Sequence, residues 1–467
     1  MSADLNDRSV LVTGATGYVG GALVSPLLGA GAEVRVLVRD ADGLSDVDWR
    51  QRVDVVEGDA TDDGDLDRAL EGIDVAYYLL HSMDGEGSLE ERDREMAESF
   101  AAAAERSGVR RIVYLGGMHP SGELSEHLAS RAEVGQIFLD AKVPAVVLQA
   151  AVILGAGSTS FDMLRYLAGR LPAMVAPKWL RNRLQPIAID DVLHYLVGAA
   201  SLEGDVNRTF DIGGPETLTY EELMQRFAKV TGRRRRLIAT LPVLTPELAS
   251  RWVGLVTPVD AGVARPLVGS LVHEVIAQEN DIRELLPKDG GLTGIDKALR
   301  RAEAGSPRDT GPRNLAISTA ATFTSAALGT LATDPQSRWY RRLDKPSWQP
   351  PAVAFPIVWT ALYADIALAS AATQTTLERE GDTDAAKQFR RAFVANLILN
   401  TGWSATFFKA HKLRTAVAVC AALAASSTDL ARRAGQTKPS RGLALAPYAA
   451  WTGFATVLTS AIARRNR

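Results

Sequence analysis

The sequence predicts two architectures in one chain of 467 residues: an α/β domain built on a parallel sheet, then an all-α bundle of five transmembrane helices. Three observations predict this division. Short apolar segments alternate with amphipathic ones up to about residue 230, and a glycine-rich turn follows the first of them. Beyond Arg313 the chain contains five long apolar stretches with few charges. A chain of this length is expected to fold as two or three domains.

Six apolar segments in the first part are candidate strands, because they are short and rich in Val, Ile and Tyr. They read SVLVT, EVRVLV, VDVVEG, DVAYYLL, RIVYLGG and AVVLQAAVI. Helix-like segments lie between them, at residues 20–30, 89–107 and 131–141. This alternation is typical of a parallel sheet with helices on both faces, which also explains why the strands are almost continuously apolar.

The pattern weakens after Ile153. Thr219 and Glu222 have the spacing of a capping box and predict that a helix begins near Thr219. Residues 237–286 are expected to be helical with interruptions at Pro. Gly, Pro and charged residues predict a linker at 291–312, so the expected domains are residues 1–290, with a helical extension at the end, and residues 313–467.

Composition excludes several classes of function. A net charge of −3 and a pI of about 6.1 provide no argument for nucleic-acid binding. The single cysteine, Cys420, excludes an internal disulfide and a cysteine-based metal cluster. His81, His119 and His194 are too dispersed for metal-ligand spacing, so no metal site is expected. The polar residues 1–8 contain no secretion signal, so we expect the first domain to lie in the cytoplasm.

The motif VTGATGYVG places Gly14, Gly17 and Gly20 between the first strand and the first helix. At such a junction the first glycine allows a tight turn, and the second lets the backbone approach a pyrophosphate. The third lets the helix pack on the sheet, and the helix N-terminus offers free N–H groups to the phosphates. The motif therefore predicts a Rossmann-like dinucleotide-binding domain.

The end of the second strand favours NADP(H) over NAD(H). Arg39 follows the strand directly, where a cation suits a 2′-phosphate and a carboxylate would instead hold the ribose of NAD. Asp40 comes one residue later. Asp59 ends the third strand and can either reach the adenine or cap the following turn.

The first part resembles the atypical short-chain dehydrogenase/reductase superfamily, particularly its NmrA-like and extended members, over about residues 8–230. The resemblance is carried by TGATGYVG, GDATD, YYLLHSM, YLGGMHPSGELSEHLASRAEVG and FDIGGPETLTY. It implies a site in which the glycine-rich turn lines the phosphates and later residues hold the adenosine phosphate, the adenine and the nicotinamide ribose. The residues that line the phosphates are Gly14, Ala15, Thr16, Gly17, Tyr18 and Val19, with Gly20 in the same turn. Arg39 meets the adenosine phosphate, Asp59 and Ala60 meet the adenine, and Leu80 and His81 meet the nicotinamide ribose.

The catalytic pattern departs from that of the family, whose active members use a Ser and a Tyr-x-x-x-Lys motif. His127 and Arg131 stand at the Tyr and Lys positions, and two glycines replace the Ser, with Ser121 nearby. His127 can act as a general acid or base, and Arg131 can orient a cofactor while it stays charged. Two alternatives remain open: a site that catalyses reduction or epimerisation, and a solvated helix face on a noncatalytic site.

The five apolar stretches are at about residues 314–333, 352–374, 392–410, 413–431 and 443–463. Each has roughly 18 to 23 residues, which is enough to cross a bilayer as a helix. Their many Ala, Ser and Thr residues suit close helix packing in a membrane. Asp365 and Asp429 lie inside two of them and favour the alternative, a soluble Ala-rich bundle. In a membrane, such carboxylates are expected to face the bundle interior or a polar cavity.

The segment WYRRLDKPSWQPP, residues 339–351, joins the first two stretches. Its three prolines predict a stiff loop, and Trp339, Tyr340 and Trp348 are amphipathic rings of the kind found at membrane interfaces. Together with FPIVWTALY, LNTGWSATFF and APYAAWTGFAT, this segment resembles the TspO/MBR family of tryptophan-rich translocator proteins, over about residues 313–467.

The TspO/MBR resemblance implies a five-helix membrane protein, often a homodimer, that binds porphyrins and other flat hydrophobic ligands. It also implies a ligand cavity below the first loop, lined by Trp348, Pro350, Trp359, Tyr363, Asn400, Trp403, Phe407 and Trp451. The sequence departs from the family after WTALY, where it reads ADIALAS, and its last helix lacks the Tyr of the proposed cholesterol pattern. Sterol binding is therefore not supported.

Three functions follow from these resemblances. The first is a multi-pass protein of the cell membrane that binds NADP(H) in a cytoplasmic domain, binds or transports a tetrapyrrole in its bundle, and has a redox-sensing role. The second is an NADPH-dependent oxidoreductase or epimerase whose hydrophobic substrate is presented by the membrane domain. The third is a nonenzymatic redox sensor with a membrane anchor.

Overall fold

The computed structural model describes residues 4–80, 89–119, 126–241, 257 and 267–466. The chain divides into two compact units, residues 1–306 and 307–467.

The first unit is built on a parallel sheet of seven strands. Its strands, together with the shorter ones outside this sheet, are β1 (Ser9–Thr13), β2 (Glu33–Val38), β3 (Asp54–Glu57), β4 (Val75–Tyr78), β5 (Arg111–Gly117), β6 (Ala145–Ala150), β7 (Ile153–Leu154), β8 (Ala173–Pro177), β9 (Arg183–Leu184), β10 (Ile187–Ala188), β11 (Arg208–Ile212), β12 (Leu218–Thr219) and β13 (Leu237–Leu241). The order in the large sheet is β11-β6-β5-β4-β1-β2-β3, and all its neighbours pair in parallel. This confirms the predicted parallel sheet.

Helices cover both faces of this sheet. The helices of the unit are α1 (Tyr18–Gly29), α2 (Asp63–Leu70), α3 (Leu89–Arg106), α4 (Glu126–Asp140), α5 (Thr159–Arg170), α6 (Ile189–Ser201), α7 (Tyr220–Val230), α8 (Asp281–Leu285) and α9 (Ile295–Gly305). Val10 and Val12 of β1 pack into one apolar layer with α1 and α6, whereas Leu11 packs into the opposite layer with α2, α3 and α4. Because successive strand residues point to opposite faces, burial on both sides requires a continuous apolar run.

The structure corrects three expectations in this unit. The run AVVLQAAVI is divided between β6 and β7, which belong to different sheets. Residues 237–241 form strand β13 rather than a helix, and β13 pairs with β8. Helix α9 occupies half of the expected linker, because its buried residues recur at helical spacing and pack into the core of the first unit. The capping box of Thr219 and Glu222 at the start of α7 is confirmed.

The second unit is helical. It contains α10 (Gly311–Ala332), α11 (Arg338–Arg342), α12 (Ala354–Arg379), α13 (Thr383–Ser404), α14 (Leu413–Thr437) and α15 (Pro439–Arg465), with a π-helical turn (Ala405–Lys409) after α13. Among the described residues, three helices are long and apolar enough to cross a membrane, namely α10, α12 and α14. Trp339 and Tyr340 lie on α11, so this part of the expected loop is a short helix.

Helix α10 of the bundle buries polar residues and exposes large apolar ones. On α10, Ser318 and Thr322 are 0% and 2% exposed, whereas Phe323 and Leu331 are 73% and 75% exposed. A water-soluble helix shows the reverse pattern, because apolar side chains leave water and polar ones stay in it. The pattern indicates that hydrocarbon rather than water surrounds α10.

The two carboxylates inside the apolar stretches differ in their surroundings. Asp429 of α14 pairs with Arg432 at 2.7 Å and Arg433 at 2.6 Å on the same helix, and its side chain is 37% exposed. Both partners lie about one turn further along the same helix, so the charge of Asp429 is paired within α14. Asp365 of α12 is half-buried.

Candidate functional site

The glycine-rich turn between β1 and α1 is packed as tightly as its sequence predicts. Gly14 has a φ of +70°, and a Cβ there would come within 2.5 Å of the carbonyl oxygen of Leu79, beyond the end of β4. A Cβ on Gly20 would lie 2.2 Å from the carbonyl oxygen of Gly14. Glycine at both positions therefore lets α1, the turn and the end of β4 approach each other.

The start of α1 fits an anion. Gly17 is the N-cap residue, and no side chain caps this helix within the described part of the chain. Thr13 fixes the turn, because its hydroxyl donates to the carbonyl of Tyr77 at 2.9 Å and accepts from the N–H of Leu79 at 3.2 Å. The first N–H groups of α1 are thus held beside the carboxyl ends of β1 and β4, where they can donate to a phosphate.

The remaining residues of the turn divide between surface and core. Thr16 is exposed, Val19 is half-buried and Ala15 is buried. The ring of Tyr18 packs against the loop after β7, where a Cβ on Gly155 would lie 1.9 Å from its hydroxyl. Burial raises the pKa of Tyr18 far above its usual range. The side chain of Tyr18 therefore contributes to packing rather than to the phosphate surface.

At the end of β2, the Arg39 side chain is exposed. The Asp40 carboxylate accepts from the N–H of Asp42 at 2.8 Å and caps a short 3₁₀ turn. Because the Asp40 carboxylate is hydrogen-bonded to the backbone, Arg39 is the charged side chain available to a ligand at the end of β2. A cation at this point suits a phosphate on the adenosine ribose.

Asp59 at the end of β3 serves a local turn. Its carboxylate accepts from the N–H and the hydroxyl of Thr61, both at 2.9 Å. Of the two roles considered, the geometry therefore favours the cap. Ala60 and Leu80 are half-buried near the carboxyl ends of β3 and β4, and His81 lies outside the described residues.

The predicted catalytic residues are only partly described. Ser121 and the side chain of His127 lie outside the described part. The Arg131 guanidinium donates to the carbonyl of Leu115 at 2.6 Å, and the Tyr114 hydroxyl donates to the carbonyl of Arg131 at 3.2 Å. Arg131 therefore ties α4 to β5 close to the carboxyl end of that strand.

His119 and Gln149 form a polar contact at the same edge that the sequence analysis did not single out. The N–H of Met118 donates to the carbonyl of Ala150 at 2.9 Å, which extends the pairing of β5 and β6 to the residue before His119. The amide nitrogen of Gln149 lies 3.2 Å from Nδ1 and 3.3 Å from Nε2 of His119. Two signals were available: His119 lies two residues after a buried strand, and Gln149 interrupts an otherwise apolar one.

Burial changes the titration of the groups at this edge. It lowers the pKa of His119, and Arg131 acts in the same direction while Asp211 opposes it. Asp211 of β11 is in register with Gln149, and burial raises the pKa of its carboxyl. Among the described residues, no group of three His, Cys, Asp or Glu residues could hold a metal ion.

A row of hydrogen bonds crosses the interior of the second unit. The Tyr363 hydroxyl donates to Oδ1 of Asn400 at 2.8 Å, and Nδ2 of Asn400 donates to the Tyr448 hydroxyl at 3.2 Å. Tyr448 in turn donates to Oδ1 of Asn396 at 2.8 Å. Trp359 stacks on Tyr363 with ring centroids 5.3 Å apart. Three of the predicted ligand residues therefore meet here, together with Tyr448 and Asn396, which the sequence analysis did not assign.

The other predicted ligand residues belong mainly to a second aromatic cluster. Trp403 and Phe407 have ring centroids 6.0 Å apart, and the 48% exposed Trp348 contacts Phe454 at 5.9 Å. Trp451 contacts Phe454 at 5.5 Å and so joins this cluster to the one around Trp359. Pro350 is half-buried. The predicted residues thus form two connected aromatic groups.

Comparison with known proteins supports both halves. Residues 14–151 match the NAD(P)H-binding family, and residues 317–465 match the TspO/MBR family. A (4-alkanoyl-5-oxo-2,5-dihydrofuran-3-yl)methyl phosphate reductase of Streptomyces griseus is 31% identical over 236 residues, which cover 49% of this chain and 75% of the relative. The tryptophan-rich protein TspO of Chlorobaculum tepidum is 33% identical over 138 residues, which cover 29% of this chain and 85% of the relative.

Among solved structures, a triphenylmethane reductase from Citrobacter sp. with NADP(H) matches with a TM-score of 0.50 at 18% identity. The match covers 63% of this chain and 99% of that chain, and at this identity it shows the fold alone. The chain therefore carries an NAD(P)H-binding domain of Rossmann-like fold and, through residues 317–465, belongs to the TspO/MBR family.

Proposed function

We propose that this protein is a membrane-bound NAD(P)H-dependent reductase of hydrophobic substrates. The observation that carries the proposal is the carboxyl edge of the large sheet, which carries both the glycine-rich turn after β1 and the polar contact of His119 with Gln149 beside β5 and β6. The strand order reverses between β1 and β4. Dinucleotides cross open α/β sheets at such a switch point, outside the carboxyl ends of the strands.

The same topology favours one orientation of the cofactor. With the pyrophosphate at the start of α1, the adenosine half extends over β2 and β3, and the nicotinamide half extends over β4 and β5. Arg39 then lies at the adenosine end and favours NADP(H) over NAD(H). Arg131 and His119 lie at the nicotinamide end, where hydride transfer would occur. The reductase activity of the Streptomyces griseus relative supports the same class of reaction.

The test uses the full-length protein in mild detergent, with NADPH oxidation followed at 340 nm. The acceptors are long-chain aldehydes, α,β-unsaturated ketones and quinones. We expect turnover with at least one class, and a lower KM for NADPH than for NADH. NADPH binding without oxidation across the panel would refute the reductase and favour the nonenzymatic redox sensor.

We further propose that the bundle binds a flat hydrophobic ligand such as a tetrapyrrole. The specific observation is the pair of connected aromatic clusters beside the row of hydrogen bonds through Asn400. Aromatic faces can stack on a planar ring, and a few polar groups can orient it. Protoporphyrin IX should quench the tryptophan fluorescence of the protein. Trp359→Ala should weaken binding, whereas Phe323→Ala, on the lipid-facing side of α10, should not. Equal affinity in the two variants would contradict this site.

All five long helices are proposed to span the membrane, with the first unit in the cytoplasm, where NADPH is available. Large apolar side chains are exposed on four of them, α10, α12, α13 and α15, including Phe323, Ile357, Ile398 and Val457, and α14 is apolar and long enough to span. Five crossings place the chain termini on opposite sides, which reporter fusions at each end would test. Reporters on the same side would refute five crossings. A homodimer of the bundle is a further expectation, and cross-linking in membranes would test it.

A further inference from the structure

We propose that His119 is the proton donor of this reductase, the role that a tyrosine has in the enzymes this domain resembles. The inference rests on the proposed reductase activity, and it assigns one catalytic residue to it. The assignment does not use motif position, which pointed to His127 and Arg131. It follows from where the backbone and one hydrogen bond place the His119 ring.

The position of His119 follows from the sheet. Strands β4 and β5 are neighbours: Tyr78, the last residue of β4, pairs with Tyr114, and β5 continues three residues further, to Gly117. His119 follows two residues after the end of β5, at the carboxyl edge of the sheet, and adjacent strands there lie about 4.8 Å apart. A nicotinamide lying over the ends of β4 and β5 would therefore have His119 at its side.

The ring of His119 is held in place rather than free in solvent. It is half-buried, and the Gln149 amide contacts its ring nitrogens. Gln149 is only 8% exposed, and Asp211, which is in register with it on β11, is also 8% exposed. The N–H of Gln278 donates to the Asp211 carboxylate at 2.7 Å and fixes this neighbour. These contacts hold the imidazole at the carboxyl edge of the sheet.

The charges around the ring favour release of its proton. Burial lowers the pKa of His119 below its usual value of about 6.5, Arg131 on α4 lowers it further, and Asp211 on β11 partly offsets both. An imidazolium with a lowered pKa is a stronger acid. At neutral pH it forms a smaller fraction of the protein but gives its proton more readily to an alkoxide.

A hydride leaves C4 of the dihydronicotinamide with its electron pair and forms a C–H bond at the carbonyl carbon of the substrate. The π electrons of the carbonyl move to the oxygen, which takes a proton from the His119 imidazolium. The products are an alcohol, NAD(P)⁺ and a neutral imidazole, which water then reprotonates.

The first test is His119→Gln in the full-length protein, with decanal and cyclohexenone as carbonyl probes. General acid catalysis is typically worth about 10²–10⁴-fold, so the variant should lose that much kcat. In the wild type, kcat/KM should fall as pH rises through the lowered pKa of His119, because only the imidazolium donates. The variant should lack this limb. A retained limb, or a loss of less than threefold, would overturn the assignment.

A cationic triphenylmethane dye such as malachite green serves as the matched probe. Its carbocation accepts a hydride and becomes neutral without taking a proton. His119→Gln should therefore lower carbonyl reduction at least 100-fold more than dye reduction. Equal losses on both probes would overturn the proton role. A wild type that oxidises NADPH with neither probe would refute the reductase itself, and this assignment with it.

Gln149→Glu tests the contact that positions the ring. A carboxylate beside the imidazolium stabilises its charged form, so the pH limb of kcat/KM should move to higher pH. Gln149→Leu, which has no hydrogen-bonding group, should not move it upward. A limb at the same pH in Gln149→Glu and in the wild type would show that Gln149 does not act through His119.

Discussion

Gly20→Ala is the sharpest test of the nucleotide site. The added Cβ would lie 2.2 Å from the Gly14 carbonyl oxygen and 2.8 Å from its carbonyl carbon. An ordinary C···O contact is about 3.3 Å, so α1 must shift by about 1 Å from the turn. Both neighbours are backbone atoms of a tight turn, so the strain cannot relax through a side chain. Overpacking of this kind costs about 1–3 kcal/mol.

The shift displaces the N–H groups that are proposed to hold the phosphates. Hydrogen bonds to charged groups are worth about 1.5–3 kcal/mol each, so loss of one weakens NADPH binding about 10- to 150-fold. The assay is NADPH titration by fluorescence on the detergent-purified protein, together with the midpoint of thermal unfolding. Gly29→Ala in the same helix is the control, because its Cβ would meet no atom within 4 Å. Equal NADPH affinity in the two variants would refute the proposed phosphate site.

Three further predictions concern charge and buried polarity. Arg39→Ala should raise the KM for NADPH about 10- to 150-fold and leave that for NADH nearly unchanged, since one charge-assisted contact is worth about 1.5–3 kcal/mol; equal effects on both cofactors would show that Arg39 does not bind the 2′-phosphate. Asn400→Leu should lower the thermal midpoint by an amount equivalent to about 1–3 kcal/mol, because Tyr448 loses a buried partner, and an unchanged midpoint would contradict the hydrogen-bonded row. Asp191 is fully buried and pairs with Lys288, so Asp191→Ala should destabilise the first unit by about 3–5 kcal/mol, and a loss below 1 kcal/mol in denaturant titration would contradict the pairing.

The large sheet could be predicted from sequence because burial on both faces leaves a continuous apolar signal. The short strands could not be predicted. Two residues, as in β9 or β12, show no period, and their pairing depends on chain segments distant in sequence. Strand β13 is missed for another reason: it pairs with β8, and Leu237 at its start is 70% exposed. A strand with one exposed face does not need a continuous apolar sequence. The apolar run that identified β1, which is buried on both faces, is therefore not required of β13.

In the candidate site, too, features set by local sequence could be predicted, and features set by contacts between distant segments could not. The glycine-rich turn could be predicted because its backbone geometry excludes other residues at Gly14 and Gly20. His119 could not be predicted, because its proposed role depends on Gln149, which lies 30 residues away and meets it only through the pairing of β5 and β6. A motif carried over by position pointed instead to α4. Contacts between strands therefore carry the information that a linear motif lacks.

In the second unit, the mean hydropathy of a helix does not show which of its residues are buried and which are exposed. Helix α13 begins with charged residues, including Lys387, Arg390 and Arg391, which lower the mean hydropathy of the whole helix. Further along the same helix, Ile398 is 65% exposed while Asn396 is fully buried. In the proposed five-span arrangement, the charged start of α13 leaves the bilayer and meets water, while the rest of the helix contacts lipid. The buried amide of Asn396 is then satisfied by Tyr448 and by the serines of α14, so a polar side chain can lie inside such a bundle.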